Sequence, residues 1–168
     1  FSQLLNGQAF DATPDAIRAL AAREDVVMIY HDAPVQTWLN DSVPLIGATQ
    51  VHSAGFTGKG VRVGIADTGL DTNHPDFAGR ILQFEDLTGE GKNDQHGHGT
   101  HVAGIVGGSG AASNGALRGV APECQFIIAK VLRGDGSGYQ SDVIAGLEFF
   151  AQQNAQVVNL SLGTAGPC

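Results

Sequence analysis

Three short and mostly apolar runs, residues 61–66, 125–131 and 156–160, alternate along this chain with stretches whose apolar positions recur every three or four residues. Runs of that kind suit strands buried on both faces of a parallel sheet. A helix is predicted over about 98–106, and another begins at Ser141-Asp142-Val143, with Ser141 as hydroxyl cap and Ile144, Leu147 and Phe150 on its buried face. Strand, helix, strand, helix, strand in this order implies a parallel sheet with right-handed crossovers. A short helix over 48–54 is stopped by Gly55, residues 71–95 read as a polar, turn-rich connection, and 107–114 and 133–138 are glycine-rich loops.

Residues 1–39 have a different texture. Thr13-Pro14-Asp15 is a helix start, with Thr as N-cap, Pro at the first helical position and an acid in the first turn, and Ile17, Leu20 and Ala21 supply its apolar stripe. Residues 26–30 read as a strand ended by Pro34, and Val35-Gln36-Thr37-Trp38-Leu39 as extended chain or plain interdomain linker.

With 168 residues the chain is long enough for one ordinary domain with a sizeable core, and its 24 glycines suit tightly turned α/β units. Acidic residues outnumber basic ones 17 to 9, for a net charge of −8, and no basic cluster occurs. That balance argues against a nucleic-acid partner. No apolar run approaches the roughly 18 residues that span a bilayer. The pairing of the two cysteines, Cys124 and Cys168, is open.

The densest chemistry lies in Gln95-His96-Gly97-His98-Gly99-Thr100-His101-Val102-Ala103-Gly104, with three histidines in six residues. On the residues alone these read as a general base, as a zinc site using His96, His98 and His101, or as structural histidines; the run lacks the acid of a His-Glu-x-x-His site. Asp67 stands at the carboxyl end of the first apolar strand, where catalytic groups of open α/β sheets collect. With His98, 31 residues on, it forms two thirds of a nucleophile-activating triad, or else merely caps a loop.

Asp67-Thr68-Gly69, then His98-Gly99-Thr100-His101-Val102-Ala103-Gly104, then Val158-Asn159-Leu160-Ser161-Leu162-Gly163 resemble, in order and spacing, three blocks of the subtilisin-like serine proteases, the subtilases. The resemblance covers nearly all of residues 42–168, including Ser42-Val43-Pro44 and Gly119-Val120-Ala121-Pro122. It implies a three-layer α/β fold with a parallel sheet, incomplete here, over residues 40–168. It also implies that residues 1–39, a partial α+β segment, are the carboxyl-terminal part of an inhibitor-like propeptide. By the same resemblance the chain is a serine endopeptidase acting on protein or peptide substrates, with Asp67 as orienting acid and His98 as general base. Two edge segments, Gly136-Ser137-Gly138 and Ser161-Leu162-Gly163, are expected to hold the substrate as an added strand.

Self-cleavage is expected near Leu39-Asn40. No cofactor is required for the chemistry and no metal site is assigned; structural calcium stays open, because Asp76 matches a calcium-ligating position of some subtilases while 107–115 lacks the asparagine-rich ligand run. The propeptide-like segment and the acidic surface imply secretion, and the resemblance implies inhibition by that segment and, when complete, a monomer; no membrane or nucleic-acid partner is expected. The sequence departs from the family in having no Gly-Thr-Ser block, so residues 1–168 alone are expected to be inactive, and an unpaired sheet edge with apolar helix faces is expected to make them poorly soluble. The alternative is a non-catalytic peptide-binding module on a subtilase-like scaffold.

Overall fold

The structure, a computed structural model, describes residues 7–32, 34–37, 46 and 48–164. In chain order its elements are α1 (Pro14–Ala21), β1 (Pro34–Thr37), α2 (Ala48–Ser53), β2 (Arg62–Asp67), a 3-10 turn Pro75–Phe77, β3 (Ile81–Asp86) and α3 (His98–Gly107). A 3-10 turn Ala111–Ser113, β4 (Gln125–Lys130), β5 (Gly138–Tyr139), α4 (Gln140–Gln152), β6 (Val157–Leu160) and β7 (Leu162–Thr164) follow.

Four strands form a parallel sheet in the order β3-β4-β2-β6. Because successive strand side chains point to opposite faces, β2 and β4 build two cores at once. Val63, Ile65, Phe126 and Ile128 pack with Val102 and Ala103 of α3 on one face. Ala66, Ile127 and Ala129 pack with Phe150 of α4 on the other. The result is the expected three-layer α/β architecture. Gly64 in mid-strand reflects packing, since a Cβ there would lie 2.9 Å from the Phe150 ring.

A second sheet is smaller. β1 lies between β5 and β7, antiparallel to both, with Val35 opposite Gly138 and Thr164, Gln36 opposite Gly163, and Thr37 opposite Leu162.

The amino-terminal helix forms as expected, with the Thr13 hydroxyl oxygen accepting from the Ala16 N–H at 3.3 Å. Four expectations are corrected. Residues 26–30 are not a strand: no described segment runs beside them, and Val27 and Tyr30 are exposed. Pro34 opens a strand instead of ending one. The polar connection 71–95 contains β3, which among the described strands pairs with β4 alone, and its Gln83 and Glu85 are exposed. Ser141 lies inside α4; Tyr139 is the cap residue without a side-chain bond, and Asp32 Oδ1 accepts the Ser141 N–H at 2.7 Å. Trp38, Leu39, the expected cleavage point and Cys168 lie outside the described residues.

Candidate active site

β2 ends by delivering Asp67, 1 % exposed, to the carboxyl edge of the sheet. Next to it α3 begins at His98, after Gly97 in the left-handed conformation, φ 89°. The two elements touch backbone to backbone, since a Cβ on Gly99 would stand 2.2 Å from the Gly69 carbonyl oxygen. Only glycine allows that approach, and it brings His98 Nδ1 to 2.7 Å from Asp67 Oδ1.

The same carboxylate oxygen accepts the Thr68 N–H at 2.7 Å. Burial pushes the Asp67 carboxyl above its usual range, against the opposing pull of the His98 and Thr68 hydrogen bonds. An imidazole whose Nδ1–H donates to a carboxylate has its Nε2 lone pair free to take a proton. Nε2 of His98 is buried and has no hydrogen-bond partner among the described residues.

The other two histidines do not join this pair as ligands. His101 is exposed on α3, His96 is exposed in the preceding loop, and among the described residues no group of three or more His, Cys, Asp or Glu is arranged to hold a metal ion. Asp76 uses both carboxylate oxygens to hold the following loop: its Oδ1 accepts the Ala112 N–H at 2.8 Å and its Oδ2 the Gly110 N–H at 3.2 Å. The buried Cys124 thiol is free, and burial pushes its pKa up.

Of the expected edge residues, the fold brings Gly138, Leu162 and Gly163 directly onto β1. Gly136 and Ser137 form the turn leading into β5, with Gly136 at φ 82°. Ser161 sits between β6 and β7, its hydroxyl accepting from Asn159 Nδ2 at 2.8 Å. Three residues around the pair are given no role by the motif reading: Thr68, which lies inside the first block, and Asp94 and Lys130, which lie outside the blocks. A lysine closing an apolar strand and an acid just ahead of a glycine-started helix are the sequence signals that could have found the last two.

The chain matches the family model described as the subtilase family over residues 58–167. It is 34% identical to the minor extracellular protease Vpr of Bacillus subtilis over 98% of its own length and 24% of that protein. It is 37% identical to the serine protease AprX of the same organism, over 95% of this chain and 38% of the relative. The major intracellular serine protease of Bacillus subtilis is 38% identical over 74% of this chain and 41% of its own length. The chain thus spans between about a quarter and two-fifths of these relatives.

Proposed function

This chain belongs to the subtilase family, and from that premise we propose that it carries the acid and base of a serine endopeptidase together with the segment that blocks its substrate groove. The observation that carries the first part is the 2.7 Å bond between His98 Nδ1 and Asp67 Oδ1 at the carboxyl edge of the sheet. In this reading Nε2 of His98 takes the proton of a serine hydroxyl as that oxygen attacks a peptide carbonyl, and later returns it to the leaving amine. Asp67 holds the ring in one tautomer and stabilises its charged form. The serine is supplied outside residues 1–168, which contain no Gly-Thr-Ser block. No cofactor enters these steps.

The second part is supported by β1, which runs between the two segments expected to hold a substrate. Backbone pairing on both sides is how an extended peptide would be gripped, with little demand on side chains. Residues 1–39 then act as a propeptide on residues 40–168, and the mature chain begins near residue 40. Protein and peptide chains are the substrates. The propeptide-like segment favours secretion; the relatives' names include both an extracellular and an intracellular protease, and no described helix is long and apolar enough to cross a membrane.

The test uses the full-length protein. It should hydrolyse peptide substrates and be inactivated by a serine-directed phosphonylating reagent, His98→Ala should remove both properties, and amino-terminal sequencing of the processed form should begin near residue 40. Peptide binding without hydrolysis or phosphonylation would instead favour the non-catalytic module.

A further inference from the structure

Asp94 stands four residues before His98, in the loop leading into α3, and two segments converge on its carboxylate. Oδ1 accepts the backbone N–H of Gly97 at 2.8 Å, that of His96 at 3.2 Å and the hydroxyl of Thr68 at 2.8 Å. Oδ2 accepts the N–H of Thr100 at 2.8 Å and its hydroxyl at 2.6 Å. Thr68 is fully buried and follows Asp67 directly; its hydroxyl oxygen also accepts the N–H of Gly99 at 2.9 Å. Its carbonyl accepts from the buried ammonium of Lys130 at 2.6 Å.

Part of this is ordinary helix capping. Gly97 has no side chain with which to satisfy the first-turn N–H groups of α3, and Asp94 and Thr68 do so in its place. The Thr68 hydroxyl bond goes further, because capping by Asp94 does not require it and it runs to the residue joined to Asp67. Burial alone would raise the Asp94 carboxyl, yet the bonds from Thr100, Thr68 and Gly97 hold it below its usual range, so it stays an ionised acceptor.

Building on the reading of Asp67 and His98 as an acid–base pair, we propose that Asp94 is the positioning residue of that pair. Through Thr68 it grips the end of β2, and through Gly97 and Thr100 the start of α3, so the two catalytic side chains are located by one carboxylate rather than by two independent loops. Asp94 acts through its neighbours and takes no part in proton transfer. A displacement of about 1 Å at such a site is worth about 10²-fold in rate.

The test compares Asp94→Asn, Thr68→Val and Thr68→Ser in the full-length protein. Asp94→Asn keeps the shape but turns an amide N–H₂ toward the existing donors; Thr68→Val removes the bridging hydroxyl and Thr68→Ser keeps it. Asp94→Asn and Thr68→Val should lower kcat about 10²-fold with KM unchanged, and Thr68→Ser should retain most of kcat. The downfield Nδ1–H proton resonance of His98 should shift upfield or broaden in the two impaired variants and persist in Thr68→Ser. A folded Asp94→Asn with unchanged kcat and resonance, or a Thr68→Ser as impaired as Thr68→Val, overturns the proposal. If Asp94→Asn does not fold, the Thr68 pair decides alone. Full activity in His98→Ala would defeat the acid–base reading itself, whereas loss there with none in Asp94→Asn and Thr68→Val defeats only the positioning role.

Discussion

Asp32 accepts the backbone N–H of Ser141 at 2.7 Å, across 109 residues of sequence. A helix normally finds its cap in the residue just before it, but Tyr139 has no side-chain bond to offer α4. The acceptor comes from the amino-terminal segment, two residues ahead of β1. Removing a capping acceptor costs about 1 kcal/mol. Asp32→Ala should therefore speed amide exchange at Ser141 and at residues 35–37 about fivefold, if the cap helps to hold β1 in place. Exchange unchanged at 35–37 would mean that the strand is held by its ladder alone.

Two carboxylates near α3 should give opposite pH signatures. Burial raises the Asp67 carboxyl, so the folded state holds that proton more tightly than the unfolded chain and stability falls as pH rises from the usual carboxylate value through the raised one. Relative to the parent, Asp67→Asn should gain stability between about pH 3 and pH 7, while the activity of the full-length protein drops about 10⁴-fold. Asp94 is lowered from 3.8, so its contribution is present above that value and is lost as pH falls through its folded value. Asp94→Asn should cost most at neutral pH and least in acid. Urea unfolding of both variants at the two pH values checks the signs.

Gly99→Ala should damage both fold and site. The new methyl would meet the Gly69 carbonyl oxygen at 2.2 Å and Asp67 Cβ at 3.2 Å, and backbone on the first side cannot swing aside. Overpacking of this kind costs about 1–3 kcal/mol. A lowered thermal midpoint together with loss of the downfield His98 proton is expected; an unshifted midpoint would show that the α3 start tolerates movement.

Gly64 and Phe150 should be energetically coupled. Phe150, 1 % exposed, covers the bare strand at Gly64. Phe150→Ala should cost about 3–5 kcal/mol through the lost burial and the cavity. Gly64→Ala should be destabilising in the parent but nearly neutral beside Phe150→Leu, a difference that a double-mutant cycle in urea resolves.

The sequence reading found what depends on local pattern. Strands β2, β4 and β6 carry their own apolar runs, and α3 and α4 their own periodicity, so the three-layer sheet was legible from those alone. Strand β3 was not, because an edge strand buries half of itself and reads as polar turn. Residues 26–30 differ in the reverse direction, having strand composition but no strand partner among the described residues. At the site, motif blocks single out Asp67 and His98, which stand 2.7 Å apart at the end of β2 and the start of α3. Asp94 and Thr68 were not, since their significance is a hydrogen-bond convergence between segments 26 residues apart, which no local pattern encodes.

β1 and the two strands that flank it belong to one chain, and this sets the physics of any competition for their edges. A tethered strand meets its edges at an effective concentration set by the chain that joins them, whatever the dilution of the protein. A free peptide added to the same edges would have to outcompete that fixed local concentration, so dilution cannot uncover them while the backbone is continuous. Cutting the chain after β1 turns an intramolecular contact into an ordinary bimolecular one, which dilution can then empty. A single hydrolysed peptide bond would thereby convert a permanent occupant into a dissociable one without altering any contact in the site.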